Sequence, residues 1–163
     1  MKKFIQSKRV FFLILFGVIP VSFHAQNLRQ VLERRWYGHG TTKTDIIEGG
    51  TLVTLYELYD VELNDDLTVK AKLKETFILE GKSYRRYSEM QGKILSEQNK
   101  LELRDVRVNS QDLLPYQFQW DNNSFSLMIG RDAQRESGFG MKGTGYSGSS
   151  YLDEVLFLDY LYR

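Results

Sequence analysis

Two carboxylates stand where the alternation of side chains calls for apolar residues. Glu57 interrupts the series Val53, Leu55, Glu57, Tyr59, Val61, Leu63, and Glu75 interrupts Leu67, Val69, Ala71, Leu73, Glu75, Phe77, Leu79. A cation enters a third series at Arg86, among Tyr84, Ser88, Met90, Gly92 and Ile94. Successive side chains of a strand point to opposite faces, so each series shares one face. If Leu63 pairs with Leu67 across the turn Asn64-Asp65-Asp66, Glu57 and Glu75 become diagonal neighbours, roughly 7 Å apart. If Gly81-Lys82 forms the next turn, Glu75 stands opposite Ser88 and Arg86 falls on the diagonal. Two buried carboxylates repel, and a guanidinium between them relieves this by bidentate pairing. The expected chemistry is a polar floor in an apolar chamber, with Glu57, Tyr59, Glu75, Tyr84 and Arg86 as candidate ligand-binding residues. The alternative is an internal ion-pair network with no ligand. A one-residue slip in either turn would carry a partner to the other face.

The same acid pair raises glycoside hydrolysis, which needs a general acid and a second carboxylate flanking a cleft. A small isomerase or hydrolase using Glu57 and Glu75 is therefore a further reading. Gly138-Gly140-Gly143 and Gly143-Gly145-Gly148 both match G-x-G-x-x-G, but no helix is expected after them, so they read as a thinned, bent strand. The chain has no Cys, which excludes disulfides, thiolate metal sites and cysteine nucleophiles. With two His far apart in sequence, no metal-ligand set and no cofactor motif is evident. Lys+Arg number 22 against 21 Asp+Glu, a balance without the basic excess that nucleic-acid binding needs. Lys70, Lys72 and Lys74 form an outward basic ladder, which reads as a solvated face. Tyr116, Phe118 and Trp120 share one face of an expected strand, as core or as a stacking platform.

These residues must be positioned by strands. Met1 to Arg9 is basic, Val10 to Val21 is apolar and uncharged, and Ala25 follows, the pattern of a signal peptide spanning 1–25. Twelve apolar residues are too few to span a bilayer, which takes roughly 20. Loss of its four bases takes the formal charge from +1 to −3. Residues 26–163 then read as one domain, exported to the periplasm or the exterior, with no transmembrane segment. Asn27 to Arg35 is the one helix candidate, with Leu28, Val31 and Leu32 on one side and Asn27 as cap. Strands are expected over 36–43, along the two series through Glu57 and Glu75, and over 83–95, 100–108, 116–121, 124–130, 137–145 and 152–162. A bulge is expected near Arg104-Asp105, where Val106 and Val108 fall out of phase with Leu101 and Leu103. The fold class is all-β: an antiparallel up-and-down barrel of about eight to nine strands with a short N-terminal helix.

With Trp36 at the helix-to-strand junction, a meander of long strands and Arg163 at the end of the last one, the chain resembles the lipocalin/calycin barrels. It also resembles small secreted β-rich domains of bacterial envelopes. The first resemblance implies that Trp36 packs under Arg163; Trp120 is a further structural candidate, able to lie over bare glycine backbone. Three functions follow as expectations. The first is a non-catalytic binding protein holding a small, partly apolar ligand in a barrel cavity. The second is a structural or interaction module with a filled barrel, whose partner would be an envelope protein. The third is the small enzyme already named.

Overall fold

The computed structural model describes residues 25–43, 50–115, 118–131, 138–148 and 150–159. The expected leader and its cleavage region, apart from Ala25, lie outside the described residues. A helix, α1 (Ala25–Leu32), leads into eight strands: β1 (Trp36–Lys43), β2 (Thr51–Leu63), β3 (Thr68–Leu79), β4 (Lys82–Leu95), β5 (Lys100–Gln111), β6 (Asn123–Arg131), β7 (Phe139–Ser147) and β8 (Ser150–Leu158). Each strand pairs antiparallel with the next, and β8 returns to β1 to close the barrel. Closure leaves no strand unpaired on a whole side, although β5 beyond Arg104 pairs with β4 alone. The helix begins and ends earlier than the sequence spacing suggests, so Asn27 lies inside it rather than at its cap.

Alternation builds the interior. Val69, Ala71, Leu73, Glu75 and Phe77 of β3 are buried, while Lys70 and Lys72 are exposed. On β4, Tyr84, Arg86, Ser88, Met90 and Ile94 are buried in the same way. Apolar residues point inward and charged ones outward, the reverse of a lipid-facing barrel. Among the described residues no helix is long and apolar enough to cross a membrane.

α1 closes one end. Leu28, Val31 and Leu32 join the core with Trp36, whose indole Nε1 donates to the Leu32 carbonyl at 3.0 Å. Arg29 reaches across to the Leu63 carbonyl and to Asp65, both at 2.9 Å, tying the helix to the β2–β3 turn. In the middle, Tyr56, Phe125 and Phe157 pack ring against ring with centroids 5.2–5.9 Å apart. The Tyr56 ring lies over Gly40, where a Cβ would stand 2.7 Å from the ring edge.

Three expectations are corrected. The described residues form eight strands, within the expected eight to nine, but 118–121 of the strand expected over 116–121 is irregular, as are 112–115: Asp112 N–H binds back to β4 at the Arg85 carbonyl and Phe118 N–H reaches the Pro115 carbonyl. Phe118 and Trp120 are therefore not on a strand, and Tyr116 lies outside the described residues. The face of β2 reverses halfway. Asp60 takes a φ of 49° and the β2–β3 register shifts between Tyr59 and Glu62. Val61 and Leu63 point in, as do Leu58 and Tyr56, whereas Val53 and Leu55 are exposed. The β3–β4 turn is Glu80-Gly81, not Gly81-Lys82, with φ of 50° and 75°. Two positive φ values are what a two-residue hairpin turn needs to match strand twist.

Trp36→Ala should cost about 3–5 kcal/mol, since it empties the space between helix and barrel and removes an indole hydrogen bond. Urea titration checks this; a loss under about 1 kcal/mol would mean that α1 does not brace the core.

Candidate functional site

Register brings the polar residues together. Tyr56 on β2 stands opposite Glu75 on β3, and Glu75 stands opposite Arg86 on β4. The β3–β4 register differs from the expected one by two positions, which leaves every side chain on its face. Ser88 on β4, Asp105 on β5 and Asn123 on β6 complete a cluster towards the end away from α1.

Arg86 is its centre, with 1% of its surface exposed. Its Nη1 lies 3.2 Å from Glu75 Oε2 and 3.0 Å from Asp105 Oδ2. Nη1 also donates to the Asp121 carbonyl at 2.6 Å, and Nη2 to Asn122 Oδ1 at 3.1 Å. Asn123 donates its side-chain amide to Glu75 Oε2 at 3.0 Å and its backbone N–H to Asp105 Oδ2 at 2.8 Å. Ser88 Oγ donates to Asp105 Oδ1 at 2.7 Å. The irregular segment ahead of β6 is thus held onto the barrel by a guanidinium reaching it from inside. Beside the cluster lie Phe77, Tyr84 and Phe118, with Phe77 centroids 6.5 Å and 5.2 Å from the other two.

One cation faces two carboxylates here. Burial pushes the Glu75 carboxyl up to about 7, against the opposing pull of the Asn123 amide and Arg86, with the Asp105 charge adding to the rise. The Tyr56 phenol is raised too, by burial first and then by Glu75 and Asp105. Among the described residues three buried polar atoms make no well-formed hydrogen bond: Tyr56 Oη, which has the Thr54 hydroxyl beside it, Arg86 Nε and Asn123 Oδ1.

Of the sequence candidates, Glu75, Tyr84 and Arg86 meet in this cluster. Glu57 and Tyr59 do not, because the irregularity at Asp60 turns their stretch of β2 outward. Glu57 bridges Arg35 at 3.2 Å and Lys74 at 3.1 Å on the outer face. Tyr59 lies under the Arg35 guanidinium, 5.6 Å from ring centroid to Cζ. The expected pairing of Glu57 with Glu75 is thereby overturned. Trp120 is half-buried and donates Nε1 to the Asp112 carbonyl at 2.7 Å, bracing the irregular segment. Arg163 lies outside the described residues, so its expected stacking on Trp36 does too. His39, the one histidine among the described residues, faces Glu154 at 3.6 Å on the outside.

Sequence reading missed Tyr56, Asp105 and the side chains of Asn122 and Asn123. A signal for Asp105 was present: Leu101, Leu103, Asp105 is an unbroken inward alternation. The bulge follows it, as register shifts between Glu89 and Met90 and between Tyr87 and Ser88 pass over Val106 and Asn109.

Fold and site define a class: a closed eight-stranded up-and-down barrel with an apolar core, a helix at one end and a buried charged cluster towards the other. No protein-family model and no curated protein matches the chain.

Two outcomes follow. A carboxyl held at about 7 when folded and near 4.5 when unfolded binds more protons in the native state between those values. Its contribution is therefore full at low pH and falls as pH rises through that window, by about 3 kcal/mol in all. Asp66 and Glu154, whose carboxyls are lowered by Thr68 and Lys142, act below that window. Glu75→Gln should flatten the pH dependence of urea unfolding between about pH 5 and about pH 8; an unchanged slope would place the titration elsewhere. Arg86→Met should cost about 3–5 kcal/mol at neutral pH, because Asp105 is left buried without its cation.

Proposed function

We propose that this is an exported, non-catalytic binding protein, lipocalin-like in build, that holds a small and partly apolar ligand at the Arg86 end of the barrel. The observation that carries the reading is the trio of buried atoms without a well-formed hydrogen bond among the described residues: Arg86 Nε, Asn123 Oδ1 and Tyr56 Oη, the last with only the Thr54 hydroxyl beside it. Each such group costs about 1–3 kcal/mol when left unsatisfied. They offer two donors and an acceptor, a set that suits a ligand's hydroxyl, carbonyl or amide. Phe77, Tyr84 and Phe118 supply apolar surface for the rest of the molecule. The likeness to lipocalins rests on eight-strand closure, on the helix at one end and on Trp36 at the first strand. Export rests on the basic and apolar pattern of residues 1–25, and the destination is the periplasm or the exterior.

The second reading, an interaction module with a filled barrel, is favoured by the Tyr56, Phe125 and Phe157 rings across the middle. Its partner would be an envelope protein. Hydrolytic chemistry has less support, since Glu75 and Asp105 both clamp one buried guanidinium and Glu57 faces outward.

Native mass spectrometry of the processed protein from the periplasm separates the first two. The binding reading expects an adduct that is lost on denaturation and is absent from Arg86→Met. Tyr56→Phe sharpens the test: it removes an unsatisfied hydroxyl, so it should stabilise the empty fold by about 1 kcal/mol while weakening retention of the adduct. A bare mass for the unaltered protein, or an adduct indifferent to Tyr56→Phe, overturns the reading in favour of the filled module.

A further inference from the structure

A concavity lies on the outside of the barrel, with a volume of about 600 Å³. Its shape follows from register. Gly92, Leu103, Phe125 and Gly145 form one level across β4, β5, β6 and β7, with their side-chain positions turned inward. Outward residues flank that level on both sides. Gln91, Arg104, Ser124 and Tyr146 make one wall; Lys93, Glu102, Ser126 and Thr144 make the other. The groove runs across the strands for three interstrand spacings, about 14 Å. It is deep because its centre is walled by two serines and its ends are underlain by glycine. Gly92 is obligatory, since a Cβ there would run into the Glu102 carbonyl oxygen.

The wall chemistry selects an occupant. Tyr146 is 51% exposed, and Tyr151 packs edge-on against it at 5.3 Å. A ring held this way is a stacking platform. Gln91, Glu102 and Arg104 carry flat polar groups suited to adjacent hydroxyls, and Ser126 and Thr144 add hydroxyls of their own. Among the described residues Gln91 and Arg104 make no side-chain hydrogen bond or ion pair. Glu102 bridges Lys100 at 2.9 Å, while Lys93 and Arg104 add two cations, so the lining carries both signs of charge with a small positive excess. Every strand beneath it is paired on both sides, so a peptide finds no edge to extend. A molecule with an apolar face and a rim of hydroxyls fits these terms. We propose that this groove is a carbohydrate site that takes a short oligosaccharide, with one sugar ring on Tyr146 and hydroxyls between the two walls. The site is independent of the interior cluster.

Cellotriose, maltotriose and chitotriose serve as probes in saturation-transfer NMR on the processed protein. At least one should receive saturation at the C–H face of a sugar ring. Tyr146→Ala should weaken that binding about tenfold, Tyr146→Phe should hold it within about twofold, and Gln91→Ala should weaken it several-fold. Arg86→Met, which disturbs the interior, should bind the same probe as the unaltered protein does, so this proposal and the interior one fail separately. No transfer to any of the three probes at millimolar concentration overturns the carbohydrate site. So does binding that survives Tyr146→Ala in a variant whose unfolding midpoint shows it to be folded.

Discussion

Arg86 is a guanidinium in a place that water cannot reach, and a buried charge persists only where its partners are already assembled. Those partners come from three directions: Glu75 from β3, Asp105 from β5, and Asp121 with Asn122 from the irregular segment before β6. Satisfying one side chain thus fixes the spacing of three neighbouring strands and the path of the connection between β5 and β6. The described residues of that connection, 112–115 and 118–122, belong to no strand, yet it is anchored from beneath by two charge-assisted bonds, which are shorter and stronger than neutral ones. The arrangement is asymmetric in charge, with two carboxylates to one cation, and Glu75 absorbs the imbalance by holding its proton up to about pH 7.

The two ends of the barrel are therefore sealed by different physics. At the α1 end the seal is apolar, with Leu28, Val31, Leu32 and Trp36 excluded from water. Such contacts are non-directional and tolerate a change of shape of similar volume. At the other end the seal is polar and directional, and it leaves three buried atoms unmatched. A hydrophobic plug at this position would leave nothing unsatisfied, so the polar construction fixes strand spacing and the β5–β6 connection at the expense of unmatched buried atoms. That imbalance is the physical reason to look for a binding role at the Arg86 end and not at the helix end.

How much of this was legible in the sequence depended on the strand. β3 and β4 alternate without interruption, so the inward placement of Glu75 and Arg86 could be read directly, and it survived the misplaced turn because the register error was an even number. β2 defeated the same method. One residue, Asp60, adopts a left-handed backbone and reverses the face of everything before it, so Glu57 left the interior and Tyr56 entered it. Asp tolerates that conformation better than most residues, but an Asp between Tyr59 and Val61 carries no turn signature. Asp121, Asn122 and Asn123 were readable as a turn and not as ligands of Arg86, since that role depends on a strand more than thirty residues away. Residues 118–121 of the strand expected over 116–121 are irregular for a related reason: Asp112 N–H is spent on the Arg85 carbonyl of β4 and Phe118 N–H on the Pro115 carbonyl, neither of which alternation of side chains announces.

The outer groove and the interior share one layer of backbone. Phe125 belongs to the level beneath the groove, and its ring packs on Tyr56 at 5.2 Å; Tyr56 in turn stands opposite Glu75. Gly145, at the same level, would place a Cβ 2.9 Å from the Phe125 ring. Close-packed interiors transmit displacement because they contain little free volume. Phe125 and Tyr56 nevertheless separate the two sites, which share no side chain: Tyr146 stands outside that aromatic layer and Arg86 inside it.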